Sequence, residues 1–380
     1  MMRQLALKPD FVRTAQRFEA WWRRDVIDRP PVTLRVRPRR PWQGPRPYEG
    51  TPRQRWLDVE YQVEYAEAVM AQRDYVGDAF PAFVPHVGPE LAATLLGGEL
   101  AFDEATSWSE PIVAGIDGWD RLVGRPLDFD NPYWQAVERM TELALQRSAG
   151  RYLVGVTDLH NNYDTMAALR GPMGLCMDLA DDPQRMRRVS GDVRRAFTTA
   201  FDRLWQRIAA AGMGCTTWCP LYHEGPCYLP SCDFWCMVGS ETARDLILPD
   251  VRVEMASLER SLFHLDGPDA LRHLDLLLAM PQLDAVQWVY GAGAGPATRW
   301  THVYRRILAA GKAVQVIAAP QDGLALLEAL GPKGVWLTID EPFDDVEAAQ
   351  RFLTEVERRT IRRSRSASSD SSATLMRAAP

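Results

Sequence analysis

The sequence predicts an α/β fold, a (β/α)8 TIM barrel, and three observations support this class. Eight short runs of the 380-residue chain have strand length and are apolar at most positions. Segments with the 3.6-residue periodicity of helices lie between many of them. Runs that are apolar on both sides suit a parallel sheet covered by helices, and eight of them favour a closed barrel over an open sheet.

The predicted strands are short and are bounded by turn residues or helical segments. They cover residues 32–36, 81–87, 152–156, 214–218, 261–265, 285–289, 313–317 and 334–339. The clearest helix follows Asp182, has Pro183 in its first turn and ends at Gly212, which are the start and stop signals of a helix. The other predicted helices cover residues 133–149, 268–280, 299–310, 324–330 and 345–358.

Two long insertions, residues 37–78 and 88–150, separate the first two strands from their successors. We expect extra N-terminal helices and a lid from these stretches, all within one enlarged barrel domain of residues 1–360. Residues 361–380 are rich in Ser and Arg and contain almost no large apolar side chain. Such a segment cannot bury enough surface to offset its ordering entropy, so the sequence predicts a disordered tail.

The composition excludes several classes of protein. A hydrophobic fraction of 46% with 25% charged residues is typical of a globular protein, and a net charge of −6 argues against a nucleic-acid-binding face. The apolar runs are far shorter than the roughly 20 residues of a membrane helix, and the first residues lack a secretion signal. The sequence therefore predicts a cytoplasmic protein without nucleic-acid or membrane partners. Its six cysteines do not form a disulfide framework.

Polar residues at the predicted strand ends are the candidates for chemistry, because barrel enzymes carry their sites there. They are Arg35 and Arg37 on the first strand, His160, Asn161 and Asn162 after the third, Cys219 after the fourth, His264 and Asp266 at the fifth, and Gln287 and Trp288 on the sixth.

Each group has a functional and a structural interpretation. In the functional interpretation the arginines bind carboxylates or phosphates of a substrate, and in the structural one they form a solvated charge run. The amides and His160 suit an oxygen-rich substrate, or build a turn. Trp288 offers a ring platform, or packs as a plug.

An ordered set of motifs occupies residues 232–274. It consists of Asp233, the helix start Gly239-Ser240-Glu241-Thr242, Leu248-Pro249, and the strand end His264-Leu265-Asp266-Gly267. A second set, Met166-Ala167-Ala168-Leu169-Arg170-Gly171 and Asp181-Asp182-Pro183, precedes it.

With these motifs the sequence resembles the uroporphyrinogen decarboxylase (URO-D) superfamily, which includes methylcobamide:thiol methyltransferases. The resemblance extends in layout over residues 18–357 and implies a (β/α)8 barrel.

Two departures argue against a decarboxylase of the haem pathway. Those enzymes have a Met-Arg-Gln-Ala-Gly-Arg run that holds substrate carboxylates, whereas residues 34–40 here are basic, include Arg39 and Arg40, and lack the glycine. Their strand aspartate, which binds the pyrrole nitrogens, is absent from residues 81–84. The resemblance therefore implies a divergent member nearer the cobalamin-dependent, methyltransferase-like branch.

The methyltransferase branch implies a metal. Its members hold zinc through a His-x-Cys motif and a second cysteine near the end of the eighth strand, and the zinc binds a substrate thiol as thiolate. His264 matches the histidine, Asp266 replaces the first cysteine, and residues 334–339 contain no second one. A His/Asp pair two residues apart on a strand faces one side and suits a harder ion or an oxygen-bound zinc. Cys219 is a further candidate ligand, and its alternative role is a buried apolar one.

The catalytic candidates are His160, Asp233, His264 and Asp266, although each aspartate precedes a helix and has helix capping as its alternative role. The leading hypothesis is methyl transfer between a small substrate and a corrinoid carried by a partner protein, assisted by zinc or another divalent metal. The second is a metal-independent decarboxylase or lyase of a carboxylated substrate. The third is a barrel that binds a ligand without catalysis.

Overall fold

A computed structural model of the chain describes residues 4–38 and 41–377, with side chains up to residue 363. The described strands are β1 (Val32–Thr33), β2 (Ala82–Phe83), β3 (Glu99–Phe102), β4 (Ser107–Glu110), β5 (Leu153–Val154), β6 (Cys227–Tyr228), β7 (Arg260–Asp266), β8 (Ala285–Val289), β9 (Ala313–Ala318) and β10 (Val335–Ile339). Six of them form one curved parallel sheet in the order β1-β10-β9-β8-β7-β6. The others form a parallel pair, β2 with β5, and an antiparallel hairpin, β3 with β4.

The C-terminal half of the sheet agrees with the sequence prediction. Strands β7 to β10 lie at the four predicted positions from residue 261 onward, with ends that differ by a residue. Their ladder is parallel throughout, and the register pairs Leu262 with Ala285 and Leu337 with Val316. These strands are almost entirely buried because their apolar residues meet the barrel interior on one face and helices on the other.

The N-terminal half differs from the prediction. The runs at 32–36, 81–87 and 152–156 contain regular strands of only two residues. The strand predicted at 214–218 is wrong, because the chain turns back after it and Cys215 forms an isolated antiparallel bridge with His223. The strand in this part of the chain is β6 instead. Across the described residues the ladder forms a half-barrel, and the eight predicted strands do not join in one continuous ladder.

The α-helices cover the sheet and fill the insertions. They are α1 (Phe11–Trp22), α2 (Pro52–Leu57), α3 (Val59–Ala71), α4 (Leu91–Thr94), α5 (Pro132–Ser148), α6 (Asn162–Arg170), α7 (Pro172–Asp181), α8 (Pro183–Ala210), α9 (Ser240–Thr242), α10 (Leu248–Ala256), α11 (Leu274–Leu278), α12 (Thr301–Ala309), α13 (Pro320–Leu330) and α14 (Val346–Arg377). A π-helical turn, Ala243–Ile247, joins α9 to α10 ahead of Pro249. Short 3₁₀ helices cover Ile116–Arg121, Asp233–Met237, Pro268–His273 and Ala297–Trp300.

Both insertions contain extra helices, as the sequence predicts. The first insertion contains α2 and α3, and the second contains α4, the β3–β4 hairpin and α5. A lid function for them stays a prediction. The last helix extends to Arg377, so the disorder predicted for residues 361–380 also stays a prediction, and residues 378–380 lie outside the described residues. Within residues 4–38 and 41–377, no helix has both the length and the apolar composition needed to cross a bilayer.

Helix α1 lies against the amino ends of the strands. The indole Nε1 of Trp21 donates to the carbonyl of Gly334 at 3.1 Å, immediately before β10, and the indole of Trp22 donates to the carbonyl of Tyr222 at 2.9 Å. The buried carboxylate of Asp78 ties this helix to β1, since it accepts hydrogen bonds from the Arg17 guanidinium and the Val32 N–H. The carboxyl ends of the strands are therefore left for a functional site.

Candidate active site

Three side chains that the sequence singles out converge at the carboxyl end of β7. Asp233, His264 and Asp266 each offer a ligand atom, and these atoms all lie within 4.8 Å of one another. His264 and Asp266 alternate with Leu265 on β7 and so project from the same face. The parallel bridge between Ser231 and His264 places Asp233, two residues further on, beside Asp266. We call these three residues the triad.

The position of Asp233 depends on a carboxylate from another element. Asp164, on α6, accepts the backbone N–H groups of Asp233 at 3.1 Å and Phe234 at 2.9 Å, and the hydroxyl of Ser231 at 3.3 Å. Asp164 therefore satisfies the N-terminal donors of the 3₁₀ helix that begins at Asp233. The carboxylate of Asp233 is left free for other contacts.

The two capping alternatives can be compared directly with the structure. The 3₁₀ helix at Asp233 is capped by Asp164 and not by a side chain of its own start, and the helix at Pro268 has Gly267 at its N-cap without a side-chain hydrogen bond. Within the described residues, the carboxylates of Asp233 and Asp266 thus serve neither helix as a cap. Both are available to a ligand.

His264 is held on three sides. Its backbone N–H donates to the carbonyl of Pro230 at 2.9 Å, and the Trp218 ring meets the imidazole edge to face at 5.5 Å between centroids. Its ring Nδ1 is hydrogen-bonded to Oε1 of Gln287, which is its register partner on β8. The ring nitrogen left for another ligand is Nε2.

The charges near the triad shift the protonation of its neighbours. Desolvation together with the Asp164 carboxylate raises the pKa of Asp233 to about 6, although His264 opposes the shift. Burial lowers the pKa of His160, but the carboxylates of Asp164 and Asp158 outweigh this and raise it overall. Burial raises the pKa of the nearby Glu90 carboxyl. The site concentrates acidic groups, which favours a cation.

A cleft of about 350 Å³ opens beside the triad, large enough for a small molecule. Its walls combine acidic, imidazole and apolar groups, among them Glu90, His160, Asp164, Asp233, Phe234 and Met237. His160 and Asp233 therefore border the same space. The Nδ1 atom of His160 is buried and has no hydrogen-bond partner within the described residues.

The two arginines lie at a different cavity of the mouth. Arg35 and Arg37 line a space of about 640 Å³ together with Thr338 and Asp340 of the β10 end. Arg35 donates to the carbonyl of Asp340 at 2.8 Å, and the exposed Arg37 pairs with Asp344 at 3.0 Å. Arg39 and Arg40 lie outside the described residues.

The two asparagines occupy structural positions at the start of α6. Asn162 donates from its amide to Asp250 at 2.8 Å, and its backbone N–H donates to Glu254 at 3.1 Å. These contacts face α10 and favour a structural role in helix packing, and the substrate role of Asn162 stays a prediction. Asn161 is the N-cap residue of α6 and is fully buried, with an amide that has no hydrogen-bond partner within the described residues.

Trp288 belongs to the core and not to the mouth. It follows Gln287 on β8 and therefore projects from the opposite face. Its ring is fully buried and meets Trp300 edge to face at 5.3 Å between centroids. This placement favours the packing alternative over a substrate platform.

Cys219 does not belong to the described set of converging ligand atoms. Its Sγ is 3.6 Å from Nε2 of Gln287 and 3.6 Å from Oε1 of Gln315, in the interior of the sheet. Burial raises the pKa of this thiol to about 12. This burial favours the alternative role of Cys219 as a buried residue, and its role as a metal ligand stays a prediction.

Three residues important to this geometry escape the sequence prediction. Asp164 follows the His-Asn-Asn segment, but nothing in the sequence indicates that it reaches a segment 69 residues later. Gln315 and Thr338 do have a local signal, since each is a polar residue within an otherwise apolar strand, β9 or β10. A polar residue at such a position must find a partner.

No protein-family model and no curated protein matches the sequence. Among solved structures, the chain is similar to a methyltransferase from Methanosarcina mazei, with 10% identity and a TM-score of 0.59 over 91% of this chain and 98% of that one. At this level of identity the similarity concerns the fold alone. A B12-independent methionine synthase from Shewanella sp. W3-18-1, in complex with selenomethionine, gives 9% identity and a TM-score of 0.43 over 90% of this chain and 99% of that one.

Proposed function

We propose that the chain is a metal-dependent methyltransferase-like enzyme of the URO-D superfamily, built on a closed (β/α)8 barrel. Its reaction is methyl transfer between a small substrate and a corrinoid carried by a partner protein. The observation that carries the proposal is the convergence of Asp233, His264 and Asp266 at the end of β7. The fold shared with a methyltransferase over nine-tenths of the chain supports it.

The donor set of the triad fits a divalent metal ion. Two carboxylates and one imidazole suit zinc or a harder ion such as Mn²⁺, and three protein ligands leave a position for a substrate atom. The triad would hold the ion through the Nε2 atom of His264 and one carboxylate oxygen from each aspartate. When bound, such an ion lowers the pKa of a coordinated substrate thiol or hydroxyl and keeps it deprotonated.

The residues around the triad have separate proposed roles. His160 borders the cleft next to Asp233 and accepts the proton released by the substrate. Arg35 and Arg37 bind an anionic part of the substrate in the larger cavity. In the transfer, a bond forms between the substrate heteroatom and the methyl carbon. The methyl–cobalt bond breaks at the same time, and its electron pair remains with the corrinoid.

The test uses free methylcobalamin as the methyl donor and a panel of small thiols and alcohols with anionic ends. We expect the metal-loaded wild-type chain to convert the methylcobalamin spectrum, and His264→Ala to lose at least a hundredfold in rate. Asp269→Ala is the matched control, since Asp269 lies three residues beyond the triad and its side chain is 84% exposed. Equal rates for wild type and His264→Ala would contradict the proposal.

A second candidate function rests on the shared cleft of His160 and Asp233, which places an acid and a base around one small space. It is a metal-independent decarboxylase or lyase of a carboxylated substrate. Carbon dioxide release from a panel of carboxylic acids in the presence of a chelator distinguishes it, because methyl transfer releases none. If neither reaction occurs while ligands bind, the chain is a non-catalytic binding barrel.

A further inference from the structure

A line of hydrogen-bonded side chains leads away from the triad across four neighbouring strands. It begins at Nδ1 of His264 on β7, which is bonded to Oε1 of Gln287 on β8. Nε2 of Gln287 donates to Oε1 of Gln315 on β9 at 2.6 Å, and Nε2 of Gln315 donates to Oγ1 of Thr338 on β10 at 2.8 Å. The parallel register supports this line, since Gln287 pairs with both His264 and Gln315. We call it the amide relay.

The two glutamine side chains of the relay are buried, and their hydrogen-bonding groups have partners within it. Gln287 is 4% and Gln315 is 2% exposed, so water contributes little to either amide. A buried amide without partners destabilises the fold, whereas here each amide has partners on both sides. Cys219 completes the set, with its sulfur between the two amides at 3.6 Å from each.

The relay has a direction, and that direction determines the proton on His264. Gln315 turns its NH₂ group to Thr338 and its oxygen to Gln287. Gln287 must then turn its own NH₂ group to Gln315, which leaves only its oxygen for the imidazole. An amide oxygen can only accept, so Nδ1 of His264 carries the hydrogen.

We propose that Gln287, oriented by Gln315, fixes the tautomer of His264, so that Nε2 carries the lone pair and points to the ligand position of the triad. The inference rests on the proposed metal site. It makes Gln287 a positioning residue that acts through His264, in place of the substrate-binding role predicted from the sequence. Partners of this kind change metal affinity by about tenfold to a hundredfold when they are removed.

The primary test is the tautomer of His264 in the metal-free protein. The chain has six histidines, and two-bond ¹H–¹⁵N correlation spectra of ¹⁵N-histidine-labelled protein distinguish Nδ1–H from Nε2–H imidazoles. His264→Ala identifies the signal of His264. At pH 8 we expect the wild type to show the Nδ1–H form.

Variants of the relay supply the comparison. Gln287→Leu removes the acceptor and should shift His264 toward the Nε2–H form, whereas Gln287→Glu retains an acceptor and should keep Nδ1–H. Gln315→Leu removes the acceptor of the Gln287 NH₂ group without contacting His264, and it should shift the tautomer in the same direction by a smaller amount. It also serves as the readout if Gln287→Leu does not fold.

The second readout is Co²⁺ affinity, measured by visible absorption. We expect the Kd to rise tenfold to a hundredfold in Gln287→Leu and to stay within threefold of wild type in Gln287→Glu. A purely structural role for Gln287 would not give this rescue by the carboxylate. An Nε2–H form in the wild type, or an unchanged tautomer in both Gln287→Leu and Gln315→Leu, overturns the inference.

The outcomes separate the inference from the proposed function. If the tautomer follows the relay but the wild type binds no Co²⁺, Zn²⁺ or Mn²⁺, the relay stands and the metal-dependent function falls. If the metal binds at the triad and the tautomer of His264 is unchanged in the relay variants, the proposed function stands and the inference is wrong.

Discussion

The carboxylate of Asp164 accepts the backbone N–H of Asp233 at 3.1 Å, across a separation of 69 residues. This contact joins α6 to the segment that follows β6, and it orients the start of the 3₁₀ helix at the triad. One aspartate therefore positions another, and the second is left free to bind a ligand.

Asp164→Ala should weaken divalent metal binding about tenfold to a hundredfold, because the loop that presents Asp233 loses its anchor. The measurement is a Co²⁺ or Zn²⁺ titration of the full chain. Asp103→Ala is the matched control, since Asp103 also accepts two backbone N–H groups, at 2.7 and 2.6 Å, but within the β3–β4 hairpin. Equal losses in the two variants would show that Asp164 has no specific role at the triad.

Glu254 should make the stability of the protein depend on pH. It is fully buried, and desolvation raises its pKa to about 8. The folded state therefore keeps a proton that the unfolded state releases above its ordinary pKa of 4.5. The stabilisation is present below about pH 4.5 and is lost as the pH rises to about 8, by a total on the order of 5 kcal/mol.

Glu254→Gln mimics the protonated side chain and should remove this part of the pH dependence. The measurement is the free energy of unfolding in urea at several values between pH 5 and 8.5. Glu241→Gln, on the exposed side of α9, is the control and should retain the wild-type slope. A slope that is the same in Glu254→Gln and wild type would show that this carboxyl is ionised in the folded protein.

Asp78 should be among the most sensitive positions for stability. Its carboxylate is fully buried, and it pairs with Arg17 at 2.9 Å and with Arg29, both of which are themselves buried. Asp78→Asn removes the buried carboxylate that the two arginines share and leaves only Asp28 for Arg17, at 2.7 Å, and Glu357 for Arg29, at 3.6 Å. The loss should approach the roughly 3–5 kcal/mol of a broken buried ion pair. Urea unfolding measures the loss. The exposed pair of Arg306 and Asp275 supplies the control, and Asp275→Asn should give no measurable change.

Cys219 should be unreactive in the folded protein. Its thiol is buried and its pKa is raised to about 12, so almost no thiolate forms at pH 8. We expect iodoacetamide to modify the half-buried Cys176 and Cys236 first and Cys219 only after unfolding in urea, as measured by mass spectrometry. Rapid native labelling of Cys219 would show an accessible thiolate and support its predicted role as a metal ligand.

The sequence predicts the C-terminal half of the sheet well because its strands are continuous apolar runs separated by short, well-marked helices. It fails at residues 214–218, a less apolar run of strand length in which no regular strand forms. There the chain reverses and Cys215 pairs with His223. Apolar periodicity indicates burial, but it does not specify the partner of a strand.

The same limit applies to the site. His264 and Asp266 could be predicted because they share one strand, so their relation is local. Asp233 could be named from its motif, but its proximity to them depends on the register between Ser231 and His264. The roles of Asp164, Gln315 and Thr338 are relations between distant segments, and a single sequence contains no direct record of such contacts.

The central claim is that the triad binds one divalent metal ion, and calorimetric titration of the full chain with Zn²⁺ tests it most directly. We predict one ion per chain for the wild type and for Asp269→Ala, and an affinity at least a hundredfold weaker for His264→Ala and Asp266→Ala. Absence of binding to the wild type, or binding of equal strength in His264→Ala, would contradict the claim.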